Sequence, residues 1–137
     1  MKSSRLMIAV AVALFVLAIP AIAQTGSVRV TVPFDFTVGK QTLAAGEYRV
    51  SVDSMQRLQI KPIGGTVAAT VLTNLIGGNE NQAPKLIFHR YGDHYFLAQV
   101  WTARWGHELF ASAAELEYAR TTKQDQTAVL ASRLPAK

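Results

Sequence analysis

The sequence predicts a mainly β chain: a small antiparallel β-barrel or β-sandwich with one α-helix in its C-terminal half. Two observations carry the β class. Apolar and polar residues alternate with period two in several short runs, and Gly, Pro, Asn and Asp clusters punctuate those runs at short spacing. A third observation supplies the helix, because only the stretch from Ser112 has both a capping signal and helical spacing.

The first 23 residues stand apart from this pattern. Met1 to Arg5 is a basic start, Leu6 to Ile19 a short apolar run, and Pro20 precedes Ala21-Ile22-Ala23, a small-x-small site. That order describes a secretory signal peptide. The other reading is an uncleaved anchor, but a spanning helix needs about 20 apolar residues and Pro20 interrupts the run. The expected organisation is therefore residues 1–23 as leader and residues 24–137 as a single β-rich domain. The expected location is periplasmic or extracellular, with no stable membrane span after cleavage. The chain has no Cys, so neither a lipidated cysteine nor a disulfide is available, and burial and backbone hydrogen bonds must hold the fold.

The elements come in chain order. Val28, Val30 and Val32 alternate with Arg29 and Thr31, and after Pro33 the alternation resumes with Phe34, Phe36 and Val38 against Asp35 and Thr37. Pro33 cannot donate to a ladder, so it marks an edge, kink or bulge. Gly39-Lys40-Gln41 breaks the strand, and Leu43-Ala44-Ala45-Gly46 is a second turn. Glu47 to Asp53 is a strand with Tyr48, Val50 and Val52 on one face. Asp53 to Gln56 turns, Leu58 and Ile60 continue as a short strand to Gly64-Gly65, and Thr66 to Ile76 is the next. Gly77 to Pro84 reads as a polar loop.

Lys85 to Tyr91 and His94 to Arg104 flank Gly92-Asp93, the strongest hairpin signal in the chain. The implied register sets Tyr91 opposite His94, His89 opposite Phe96 and Phe88 opposite Leu97. It puts Phe88, Arg90, Tyr95, Leu97 and Trp101 on one face and Val100 on the other. Ser112-x-x-Glu115 has the spacing of a capping box. Leu116 and Ala119 form the expected buried stripe of the helix, which fades near Lys123 to Gln126. Thr127 to Ser132 supplies a last strand.

Composition narrows the function classes. Without Lys2 and Arg5 the 14 basic residues fall to 12 against 9 acidic ones, a net charge of +3. The basic residues are scattered, so nucleic acid is not an expected partner. The chain has no Gly-x-Ser-x-Gly elbow and no His-Glu-x-x-His motif. Gly64-Gly65 and Gly77-Gly78 lack the Lys and helix start of a phosphate loop.

Three stretches resemble a family of small secreted proteins found in acidobacteria: Val32 to Gly39, Leu43 to Val50, and Phe88 to Leu97 with Val100-Trp101. The Leu43 to Val50 stretch is similar to Leu-Pro-Ala-Gly-x-Tyr, with Ala44 where Pro is common. Glu108-Leu109-Phe110 stands where the family tends to have Glu-Leu-Pro. The resemblance implies export and a shared β-rich fold and adds no chemistry.

Candidate sites are few. His89 and His94 lie diagonally on one hairpin face and are the weak candidates for a metal. The plainer reading packs His89 beside Phe96 and leaves His94 at a solvated turn. His107 with Glu108 reads as a loop pair, and Asp35 as a turn or edge hydrogen bonder. Tyr95, Trp101 and Trp105 beside Arg90 are the candidate ligand-binding residues, since exposed aromatic faces next to a guanidinium suit a sugar, lipid or peptide. Core packing is the competing role for these aromatics. No catalytic residue and no cofactor is assigned. The expected function is that of an exported non-catalytic β-domain acting by binding or as an envelope or extracellular component. A small-ligand barrel holding an apolar ligand is second, and a metal-dependent enzyme third. An apolar cavity is the mark of the second.

Overall fold

The computed structural model describes residues 26–79 and 82–133. The expected leader and the last four residues lie outside that set. The strands are β1 (Gly26–Val32), β2 (Phe36–Val38), β3 (Gln41–Leu43), β4 (Gly46–Val52), β5 (Arg57–Pro62) and β6 (Ala69–Gly78). They continue as β7 (Lys85–Tyr91), β8 (His94–Trp101) and β9 (Trp105–Leu109), then helix α1 (Ala113–Thr121) and β10 (Gln124–Arg133).

Eight strands close into an antiparallel barrel in the order β8-β7-β10-β1-β4-β5-β6-β9, with β9 returning to β8. Of barrel and sandwich, the chain forms the barrel. The period-two patterning explains its layers. Val28, Val30 and Val32, then Tyr48, Val50 and Val52, then Leu58 and Ile60 all turn inward and are buried. The outward positions of the same strands, Arg29, Glu47, Arg49 and Gln59, are exposed. A lipid-facing barrel carries an apolar band there, whereas these strands carry charge. Among the described residues no helix is long and apolar enough to cross a membrane.

The barrel interior is filled. Phe36, Phe88, Leu58, Ile60, Leu86, Val50 and Val100 are fully buried in one cluster. Among the described residues these side chains pack together where a ligand-holding barrel would carry its apolar cavity.

The β7–β8 hairpin has the expected pairs: Tyr91 with His94, His89 with Phe96, and Phe88 with Leu97. Gly92 supplies the positive φ, 62°, that a two-residue primed turn needs. Beyond Phe88 the faces differ from expectation. The register shifts between Ile87 and Phe88, so Ile87 pairs with Gln99 and Ala98 is the extra residue. A bulge reverses the parity of the residues beyond it. Val100 therefore joins Leu97 inside, and Trp101 moves to the outer face, where its Nε1–H donates to Gln99 Oε1 at 2.9 Å.

The helix also differs. Ser112 is the N-cap and its Oγ accepts from the Glu115 amide at 3.2 Å. The inward residues are Glu115 and Tyr118, while Leu116 is 54% exposed. The helix crosses the outside of β8 and β7 on its way from β9 to β10, and its docking contacts there are polar and aromatic. The helix ends at Thr121 and β10 begins at Gln124, slightly earlier than the fading helix expected there.

One end of the barrel is closed by turns. Asp53 Oδ1 accepts from the amides of Met55 and Arg57, at 2.8 and 3.0 Å, forming an Asx-type turn. The segment read as a loop from Gly77 is still strand through Gly78, and Asn79 is buried. Asn79 donates to the Thr102 carbonyl, and Thr102 in turn organises the β8–β9 turn by accepting from the Trp105 amide at 3.1 Å.

Candidate functional site

The opposite end is pried apart by an insertion. Pro33 to Asp35 ends β1, and β2 then runs parallel to the first half of β8, with Thr37 beside Phe96. The second half of β8, Gln99 to Trp101, pairs with β9 instead. The β2–β3 hairpin thus occupies the seam that β9 leaves as it departs for α1. Phe36 and Val38 anchor this wedge in the core, where Phe36 meets Phe88 and Tyr48 edge-on at 5.5 and 5.4 Å. Asp35 Oδ1 accepts from the Ala45 amide at 2.9 Å and fixes the following turn. Gly39 has φ 60°, and a Cβ there would lie 2.8 Å from Val71 Cγ1. The tip of the wedge therefore rests on β6, and any side chain there is strained and displaces Val71.

An open cleft of about 1190 Å³ remains beside the wedge. Its walls are β2–β3, the start of β6, the start of β8 and the Leu109–Ala114 connection; Thr42, Val71, Tyr95 and Phe110 represent the four. Phe110 is 65% exposed and Leu72, also in the lining, 61%. The cleft is thus more apolar than polar, with Asp35, Lys40, Thr42, Asp93 and His94 among its polar groups.

The candidate residues fall in three places. Tyr95 lines the cleft and stacks on Phe34, with centroids 3.7 Å apart and planes 14° from parallel. The Arg90 guanidinium lies 5.5 Å from the Tyr95 ring centroid and also donates to the Gly92 carbonyl at 2.7 Å. Arg90, Tyr95 and Phe34 therefore form one layered stack at the barrel end. Trp101 and Trp105 sit at the other end. A Cβ on Gly106 would come within 2.5 to 2.7 Å of three Trp101 ring carbons, so that ring is laid flat over the glycine. Trp105 is half exposed at the start of β9. The structure does not bring the four aromatic and arginine candidates into one site.

The histidines separate as well. His94 lines the cleft and packs on Tyr118, centroids 4.3 Å apart. His89 turns toward the helix, where its Nδ1 is 3.0 Å from Glu115 Oε2, and the Tyr91 hydroxyl donates to the same oxygen at 3.1 Å. A carboxylate oxygen only accepts, so His89 presents Nδ1–H. Burial, then the Glu115 charge and hydrogen bond, push the Tyr91 phenol up to about 12. Among the described residues no group of three His, Asp or Glu side chains is placed to hold a metal ion. His107, read from sequence as a loop residue, is buried in β9, with Nδ1 3.0 Å from Gln56 Oε1. Burial lowers its pKa.

Glu115 is visible in sequence only as a capping residue. Its role in gripping His89 and Tyr91 depends on contacts 24 to 26 residues away. The cleft walls leave no sequence signal, because they meet only when the barrel closes. No family model, curated protein or solved structure matches this chain.

Proposed function

We propose that the chain is an exported, non-catalytic binding domain whose ligand occupies the seam cleft rather than the barrel interior. The observation that carries this reading is the contrast between a filled interior and an open cleft of about 1190 Å³, more apolar than polar, beside the inserted hairpin. Ligand sites are characteristically concave and apolar, with a few convergent polar groups, and the cleft has Thr42, Tyr95 and His94 in that role. The leader pattern and the resemblance to small secreted proteins support export. A structural role in the envelope or matrix is the other form of the same reading. The His89–Glu115–Tyr91 cluster serves the helix, since all three groups are spent on one another beneath α1.

The test is a thermal-shift screen of residues 24–137 against glycans, lipids, peptides and divalent metals, repeated on Ala111→Trp. Ala111 is exposed and lines the cleft, so the indole obstructs the site without entering the core. A ligand at 100 times its Kd stabilises by about 2.7 kcal/mol. The expected result is a stabilising ligand whose effect is abolished in Ala111→Trp. Stabilisation that Ala111→Trp leaves intact, or a screen with no response, overturns the cleft as the binding site.

A further inference from the structure

Two walls of the cleft carry open backbone edges, and we infer that its occupant is an extended polypeptide segment that adds to them as a β-strand. The inference rests on the cleft reading above and names the class of partner.

Strand β6 provides the first edge. The Thr73 amide donates to the Gln56 carbonyl at 2.9 Å, and Arg57 to Ile60 pair with Leu72 to Ala69. In an antiparallel ladder successive residues direct their N–H and C=O groups to opposite sides. Ala69, Val71 and Thr73 therefore address β5, and Thr70 and Leu72 address the seam. On the seam side, β9 pairs with β6 only from Thr73 onward. Among the described residues Thr70 and Leu72 have no backbone partner across the seam.

The facing wall is β3, the terminal strand of the sheet order. Gly39-Lys40 is a two-residue turn, so Val38 and Gln41 form the hydrogen-bonded pair that closes the hairpin, and Phe36 and Leu43 the next. Thr37 and Thr42 are then a non-hydrogen-bonded pair, and their Oγ1 atoms lie 3.3 Å apart as the closer spacing of such pairs allows. Thr42 consequently turns its N–H and C=O outward, to the open edge of β3.

Open edges of this kind are templates for another strand, and peptide recognition by strand addition uses them. Barrel closure gives each ring strand a partner on both sides along part of its length. The wedge leaves two such edges open, on walls of a cleft whose lining supplies Val71, Leu72 and Phe110 for alternate apolar side chains. A lipid chain would leave these donors and acceptors unpaired, whereas a strand's backbone meets them in alternating order at the ladder spacing. At about 3.3 Å per residue, walls of three and four residues engage a core of about four peptide residues.

The experiment selects binders from a seven-residue peptide library, randomised among Thr, Val, Ser and Leu and flanked by Lys, on the mature chain. Selected peptides are compared with copies N-methylated at every library position. Amide hydrogen exchange is read by NMR. The expected result is exchange slowed at least tenfold at Thr42, Thr70 and Leu72 by the unmethylated peptide and unchanged by the methylated one. Leu72→Pro removes one seam-side donor and weakens binding about tenfold. If that variant does not fold, Thr42→Pro makes the same test from the other wall, and the methylated peptides test the native chain. Failure to select any peptide, equal binding of methylated copies, or protection elsewhere overturns the inference. A glycan or lipid blocked by Ala111→Trp would then leave the cleft reading standing without it. Loss of every Ala111→Trp-sensitive ligand would remove both.

Discussion

The two ends of the barrel solve the same closure problem differently. At the end holding the β4–β5 and β8–β9 turns, short-range hydrogen bonds finish the job. Asp53 caps its own turn, Thr102 caps the next, and Asn79 ties that turn to the end of β6. Gln56 reaches down to His107 across the barrel mouth. At the other end a hairpin from between β1 and β4 is driven into the seam, and a helix is strapped over the outside. The first end is satisfied by its own turns. The second leaves β-edges and apolar surface available, and that is where the concavity lies. The concavity here comes from incomplete closure, not from a hollow barrel.

The largest expected effect strikes the wedge. Phe36→Ala removes a fully buried ring that touches Phe88 and Tyr48, and should cost about 3–5 kcal/mol in a urea titration. Exchange protection in β2 and β3 should fall first, ahead of the ring strands. A cost below about 1 kcal/mol would mean the wedge is an appendage and the contrast between the ends is superficial.

The next effect concerns the strap. Glu115→Gln keeps the side-chain shape but removes the charge that accepts from both His89 and Tyr91. Hydrogen bonds to charged groups are worth about 1.5–3 kcal/mol, so a loss of that order is expected in chemical denaturation. The Tyr91 phenol should also titrate below its present value of about 12, because one of the groups raising it has lost its charge. Burial, the larger cause, persists and keeps it above an ordinary tyrosine. An unchanged Tyr91 titration by NMR would separate Glu115 from the helix anchor assigned to it.

The smallest effect tests the closed end. Burial lowers the His107 pKa below the ordinary histidine value of 6.5. The unfolded chain therefore takes up the proton first as pH falls. His107 contributes stability that is complete above about pH 6.5 and is lost as pH falls toward its folded pKa. The slope cannot exceed about 1.4 kcal/mol per pH unit for one group. Urea midpoints at pH 7.5, 6 and 5 should decline more steeply for the native chain than for His107→Gln. Parallel declines would show that the mouth is wetter than the structure implies.

Much of this fold is legible in the sequence because it is local. Alternation identifies the inward faces of β1, β4 and β5, and Gly92-Asp93 sets the register of the β7–β8 hairpin at its turn. Ser112 marks the start of α1. The misreadings are equally specific. One extra residue at Ala98 swaps Val100 and Trp101 between faces, because parity carries along a strand until a bulge resets it. Hydropathy assigns Leu116 to the buried stripe, yet the surface under the helix presents His89 and Tyr91, so the helix turns Glu115 and Tyr118 toward them. His107 reads as a loop residue because its partner, Gln56, is 51 residues away.

The sequence by itself determined the inward faces of β1, β4 and β5, most of the turns and that the fold is β-rich, since period-two patterning and turn chemistry act over a few residues. Only the tertiary structure decided which strands are neighbours. It placed β10 between β7 and β1, gave β8 two different partners along its length, and left Thr42, Thr70 and Leu72 facing an open seam. The physical reason is that side-chain alternation specifies a face but not a partner. Pairing is chosen by closure of the whole sheet, and the cleft exists only where that closure is interrupted.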